Sequence, residues 1–139
     1  CPLCQGYCPT IKKMADQYVE DSIRFYAVFP GKLYSDEEIK KFFAQYDLQL
    51  SYFIDDNFVL TDFMKASTTP EAFIVDRDGN VQYSGRIDNW AYELGKKRTV
   101  ITENDLDNAL RSVKKNKEIK VKKNKINGHV GINKINKEY

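Results

Sequence analysis

At 139 residues, 42% of them hydrophobic and 13% aromatic, the chain has the length of a single domain and a composition that excludes intrinsic disorder. No stretch approaches the roughly 18 apolar residues of a membrane span; the first residue is Cys rather than Met, so the sequence reads as processed or truncated, and the lack of a visible signal peptide decides nothing. The net charge of +2 joins two unlike parts: residues 1–113 carry 13 Lys and Arg against 18 Asp and Glu, whereas residues 114–139 carry nine Lys against Glu118 and Glu138.

Residues 2–20 predict a helix, with Ile11, Met14, Ala15, Tyr18 and Val19 at helical spacing. Pro9 falls inside it and predicts a kink or a second start, because proline lacks an N–H and crowds the preceding turn. IRFYAVF (23–29), ending at Pro30-Gly31, predicts a buried strand. Ser35 with Glu38 forms a capping box, and Ile39, Phe42 and Phe43 give a helix over 36–46 its apolar face. SYFID (51–55) predicts a second strand. Residues 57–65 predict a short amphipathic helix anchored by Phe58, Val59 and Phe63. After Thr68-Thr69-Pro70, the runs AFIVD and VQYSG flank an Asp-Gly turn, the strongest short hairpin signal. Thr102, with Asp105 three residues on, predicts the cap of a helix over about 103–114. Strands alternating with helices imply a parallel sheet, and the hairpin adds antiparallel strands at one end.

The sequence holds three cysteines, all in CPLCQGYCPTI at the start: Cys1, Cys4 and Cys8. Structural disulfides close long loops, which these three cannot do. Crowding of this kind points to chemistry. A cysteine at a helix start faces unsatisfied N–H groups and the positive end of the dipole, which lowers a thiol pKa from its ordinary value near 8.5. Pro2 suits the first helical position, where its missing N–H costs nothing. Cys1 and Cys4 share a helical face within disulfide reach. Cys8, four residues beyond Cys4, reads as a buried thiol of the core. C-x2-C-x3-C-P also reproduces the end of a bacterial ferredoxin run, but one helix carrying three ligands suits an iron–sulfur cluster or zinc poorly.

The order of elements, CPLCQGYCPTI at a helix start, TTPEAFIVDRDG as a Thr-Pro loop and hairpin, and the following YSGRID together resemble the thioredoxin-like superfamily over about residues 1–113. The resemblance is closest to the redoxin branch of AhpC/TSA-like and thiol–disulfide oxidoreductase domains. It implies an α/β thioredoxin-like fold with a mixed central sheet flanked by helices, and a first strand, normally directly before the first Cys, that is missing from this chain. It also implies an exposed apolar edge beside strand 23–29 and a less stable domain for it. The catalytic pair it implies is Cys1 as attacking thiol and Cys4 as resolver of the mixed disulfide. Pro70 is expected to be cis and to pack against the disulfide, with the backbone of Thr69 pairing with substrate. The alternative within the branch is a peroxidase. There the peroxide-attacking cysteine aligns with Cys4, and Cys1 stands where the peroxidase motif carries Thr. A further alternative is a module that keeps the fold and only binds a partner.

Around this core, Glu71 is a candidate proton acceptor or a solvated carboxylate at a strand start, and Arg86 with Asp88 a cation beside the thiolate or a surface ion pair. Trp90, Tyr92 and Leu94 read as cover for the core, and His129 lies in the tail, where some relatives carry a Gly-Cys motif and this chain has Gly128-His129. No metal-spaced histidine cluster, phosphate-binding loop or Ser/His/Asp triad is present, and no cofactor is called for. Two regions are expected, a redoxin domain over 1–113 and a basic tail over 114–139. The tail lacks the aromatic interleaving of nucleic-acid binders and reads as a solvated extension. The expected partners are a protein disulfide or dithiol, or a peroxide, together with a thiol reductant protein. The resemblance favours an extracytoplasmic, periplasmic or exported bacterial setting.

Overall fold

The structure, a computed structural model, describes residues 2–93, 96–124 and 129–130. The chain forms two compact units, one of described residues up to Lys65 and one running from Ala66.

The first unit opens with helix α1 (Pro2–Gln17). Its buried stripe is Tyr7, Met14 and, just past the end, Tyr18, spaced by one or two turns, with Cys8 beside Tyr7. Val19 is 71% exposed and lies off this stripe, because the helix has ended two residues earlier and Tyr18 turns the chain by donating its N–H to Met14. Pro9 neither ends the helix nor starts another. It sits on the exposed side, where water can reach the Gln5 carbonyl that loses its usual donor.

Strands β1 (Tyr26–Pro30) and β2 (Ser51–Asp55) pair in parallel, Val28 opposite Phe53, with helix α2 (Asp36–Gln45) as the crossover between them. Ser35 Oγ accepts from Glu38 N (3.2 Å), the cap the sequence predicts, and three acidic residues in the first turn favour the positive end of the helix. Phe43 of α2 covers one face of the pair, its ring 6.1 Å from that of Phe29 and 5.3 Å from that of Tyr52. β1 is not the buried strand expected. Parallel register puts Tyr26, Val28 and Phe53 on the opposite face, where Tyr26 and Phe53 are half exposed with rings 5.5 Å apart.

The short helix α3 (Val59–Phe63) is held by a carboxylate and by one of the three apolar anchors expected, Phe58. Val59 and Phe63 point outward, and the buried residues are Phe58 and Thr61. Asp55, at the end of β2, accepts from Leu60 N (3.3 Å), Thr61 N (2.8 Å) and Thr61 Oγ1 (2.7 Å). Burial alone would push its carboxyl up. The hydrogen bonds from Thr61, Leu60 and Val59 outweigh burial and hold it below the usual carboxylate range. Gly31, with φ of +77°, turns the chain after β1, and a Cβ there would lie 2.9 Å from the Phe58 ring.

The second unit holds β3 (Thr68–Thr69), β4 (Ala72–Val75), β5 (Val81–Gly85), β6 (Ala91–Glu93), β7 (Lys96–Lys97), α4 (Asp105–Lys114) and β8 (His129–Val130). β4 and β5 form the predicted antiparallel hairpin, with a register shift at Ile74/Val75. Its turn is organised by Asp76, whose carboxylate accepts from Asp78 N, Asn80 N and Gln82 Nε2, while Gly79 takes φ of +85°. β3 pairs with β8, and β6 with β7, both antiparallel.

Leu106, Ala109 and Leu110 form the buried face of α4, and Leu106 N reaches Ile87 O (3.0 Å). Thr102 does not cap this helix. Its hydroxyl accepts from Asn89 Nδ2 (2.7 Å), and the cap position is Asn104, with no side-chain cap bond. Asn89 is buried, and its Oδ1 also accepts from Thr102 N and Glu103 N. Residues 119–124, expected as part of a solvated tail, pack on this unit. Ile119 is buried, Ser84 N donates to Lys122 O (2.9 Å), and Ser84 and Lys123 form a parallel bridge.

Candidate functional site: a cysteine-bearing helix start and a cis-proline loop

The first group is the start of α1. Cys1, the residue assigned to attack, lies outside the described residues; the helix begins at Pro2, directly after it in sequence. No acidic residue occupies the first turn, so the helix supplies no carboxylate of its own beside the amides there. Cys4 is half-buried inside this turn. Cys8 lies one turn deeper and is 5% exposed, and its thiol donates to the Cys4 carbonyl at 3.4 Å. Burial pushes the Cys8 thiol up, so it stays protonated near neutral pH and behaves as a small core residue. The two cysteines of one helix therefore stand in different surroundings, and Cys8 has those of an inert thiol.

The second group is the loop Ser67–Glu71. The Thr69–Pro70 peptide bond is cis, as the resemblance implied. Glu71 braces this loop. Its Oε1 accepts from Ser67 N (3.3 Å), Ser67 Oγ (3.4 Å) and Thr68 Oγ1 (3.3 Å), so three donors converge on one carboxylate oxygen. That arrangement binds Glu71 to the loop preceding the proline. The backbone of β3, immediately before Pro70, pairs with β8: Thr68 opposite Val130 and Thr69 opposite His129.

Arg86 follows β5. Its Nε donates to Asp105 Oδ2 (2.7 Å), and its terminal nitrogen pairs with Glu103, which ties the end of the hairpin to the start of α4. Burial alone would lower the guanidinium pKa; the contacts with Asp105 and Glu103 outweigh it and raise it. Asp88 is buried and accepts from Trp90 N (2.8 Å). Lys97 Nζ lies 4.7 Å above the Trp90 ring, a cation–π contact. Leu94 lies outside the described residues.

Sequence reasoning missed Asn124. Its Oδ1 accepts from Arg86 N (2.9 Å) and its Nδ2 donates to Tyr83 Oη (3.1 Å), while that hydroxyl donates to Arg86 O (2.6 Å). Tyr83 is 1% exposed, and burial pushes its phenol up to about 12. Nothing in a run of Lys and Asn singles Asn124 out. A signal was present at the other end of the contact, in a glycine closing a β run. Among the described residues no group of three or more His, Cys, Asp or Glu is arranged to hold a metal, and no helix is long and apolar enough to cross a membrane.

Comparison with known proteins places these two groups in a wider context. The profile described as the AhpC/TSA family matches residues 1–84. An uncharacterized conserved protein from Geobacillus kaustophilus superposes with a TM-score of 0.71 at 20% identity, over 86% of this chain and 65% of that one. A hypothetical protein from Sinorhizobium meliloti superposes with a TM-score of 0.70 at 21% identity, over 85% of this chain and 67% of that one. The chain thus spans about two thirds of the length of these structures. No curated protein matches it.

Proposed function

This chain belongs to the AhpC/TSA family, redoxins of the thiol peroxidase and oxidoreductase type, and has the thioredoxin-like fold; from that premise we propose that it is a thiol–disulfide oxidoreductase. The observation that supports this reading is that α1 begins at Pro2, directly after Cys1 in sequence, with Cys4 in its first turn and no acidic residue in that turn. Helix amides and dipole favour a thiolate there.

In the proposed reaction the Cys1 thiolate attacks one sulfur of a substrate disulfide. The substrate S–S bond breaks, a mixed disulfide forms, and the released substrate thiolate takes up a proton. Cys4, deprotonated, then attacks the Cys1 sulfur, forming the Cys1–Cys4 disulfide and releasing the second substrate thiol. Substrate gains two electrons, the dithiol loses two, and an external dithiol reductant restores it. Thr69 and Pro70 are the proposed substrate-pairing residues, with Glu71 bracing their loop. Arg86, engaged by Asp105 and Glu103, serves the scaffold in this reading.

The test is insulin reduction with dithiothreitol as reductant. Cys1→Ser abolishes the rate above background, and Cys4→Ser attacks once and stalls as a mixed disulfide detectable by mass spectrometry. Cys8→Ala changes little. Family membership also favours a second reading, peroxide reduction with Cys4 as the attacking thiol. There Cys4→Ser removes peroxide consumption and Cys1→Ser only slows resolution. Alkylation of the reduced protein under mildly acidic conditions separates the two: preferential labelling of Cys4 over Cys1 sinks the first.

A further inference from the structure

The backbone assigned above to substrate pairing already has a partner in this chain. β3, Thr68–Thr69, forms an antiparallel ladder with β8, His129–Val130, of the C-terminal segment. We propose that β8 is a built-in occupant of the substrate strand's place, and that the enzyme's substrate is an extended polypeptide disulfide which must displace it. This rests on the thiol–disulfide exchange reading. It adds the substrate class and a means of regulation.

Two independent features carry it. The first is the ladder itself, of the same kind as a strand added to an open sheet edge. The second is the anchor that delivers it. Upstream of β8, Ile119 is buried, Lys122 O accepts from Ser84 N, and Asn124 is bonded to Arg86 N and Tyr83 Oη. The approach of Asn124 is so close that a Cβ on Gly85 would lie 2.2 Å from its Oδ1. An occupant on the same chain, beginning five residues beyond Asn124 in sequence, acts at an effective concentration on the order of millimolar. The ladder itself is only two residues long, so a longer extended peptide making more backbone bonds displaces it. A small disulfide needs no strand pairing and is indifferent to it.

The experiment compares the full chain with two variants: a chain ending at Asn124, which keeps the anchor, and full-length His129→Pro, which cannot donate to the ladder. Each is assayed with insulin and with dithiodipyridine, a low-mass disulfide. The expected result is a KM for insulin lowered by threefold or more in both variants, about tenfold if the strap is paired nine-tenths of the time. The dithiodipyridine rate stays unchanged. A synthetic peptide of residues 126–133 restores the higher KM of the truncated chain. An unchanged or raised KM for insulin in His129→Pro, at an unaltered dithiodipyridine rate, overturns the proposal. Should the unmodified chain fail to react with dithiodipyridine, the exchange reading itself falls, and the strap assignment with it.

Discussion

Alanine in place of Gly85 is expected to be costly or nearly neutral depending on one side chain distant in sequence, that of Asn124. Gly85 lies in β5 opposite Ala72, with a backbone that does not need glycine's freedom. On backbone grounds alone, Ala there gains about 0.5–1 kcal/mol over Gly. The added Cβ, however, would sit 2.2 Å from Asn124 Oδ1, 2.9 Å from its Cγ and 3.1 Å from Tyr83 Oη. Asn124 has to leave, and its bonds to Arg86 N and Tyr83 Oη go with it. Two hydrogen bonds at about 1 kcal/mol each, with about 1 kcal/mol more for a part-buried amide left unsatisfied, exceed the backbone gain. The net cost is about 2–2.5 kcal/mol. Urea unfolding followed by the fluorescence of Trp90, the single tryptophan, measures it. In an Asn124→Gly background the bonds are already absent and the clash is gone. Gly85→Ala then costs close to nothing, the tight contact with Tyr83 Oη offsetting the backbone gain. If Gly85→Ala costs as much in that background as in the parent chain, the packing of Asn124 on β5 is wrong.

Two further outcomes follow from single side chains. Asp55→Asn costs about 1–2 kcal/mol by weakening the cap of α3; because the folded pKa is depressed, the carboxylate's contribution is present above about pH 4 and lost as pH falls through the folded value. Urea midpoints of parent and variant should therefore converge at acid pH, and a constant gap would refute the assignment. Tyr83 ionises late, near 12, so its raised pKa holds stability below about pH 10 that is lost as pH climbs towards 12. An ultraviolet titration of the nine tyrosines should show a late step that Tyr83→Phe removes, and its persistence in that variant refutes the burial.

Where local chemistry decides, the sequence was legible. Ser35 with Glu38 and the Asp-Gly turn of the hairpin stand where their residues imply, and the cis bond at Pro70 stands where the family resemblance implied it. Family and fold were readable for the same reason, since a Cys-Pro helix start and a Thr-Pro loop each need particular residue types. Apolar periodicity was a poorer guide to burial. Phe58, Val59 and Phe63 looked alike as anchors, yet a five-residue helix buries only the side that its capping carboxylate turns inward, and Thr61 took the place of Val59 and Phe63. Thr102 and Asp105 carried the spacing of a capping box, but a buried Asn89 claimed the threonine hydroxyl from 13 residues away. The packing of residues 119–124 had no local sign at all, because the groups they satisfy belong to β5.

One physical device recurs through the chain and bears on the site. Asp55, Asp76, Asn89 and Asn124 each bond to backbone groups outside the regular ladders, and Glu71 does so in the loop before the cis proline. Such N–H groups cost free energy when buried unpaired, and a fixed carboxylate or amide satisfies several at once. Loops held this way are defined by side chains rather than by strand pairing. That leaves the backbone of β3 available for a partner strand, and in this chain β8 has taken it. Under the proposed exchange of strands, the loop would keep its shape whether the pairing strand came from the tail or from a substrate. A site that must exchange one strand for another without refolding requires that separation between what holds the loop and what pairs with it.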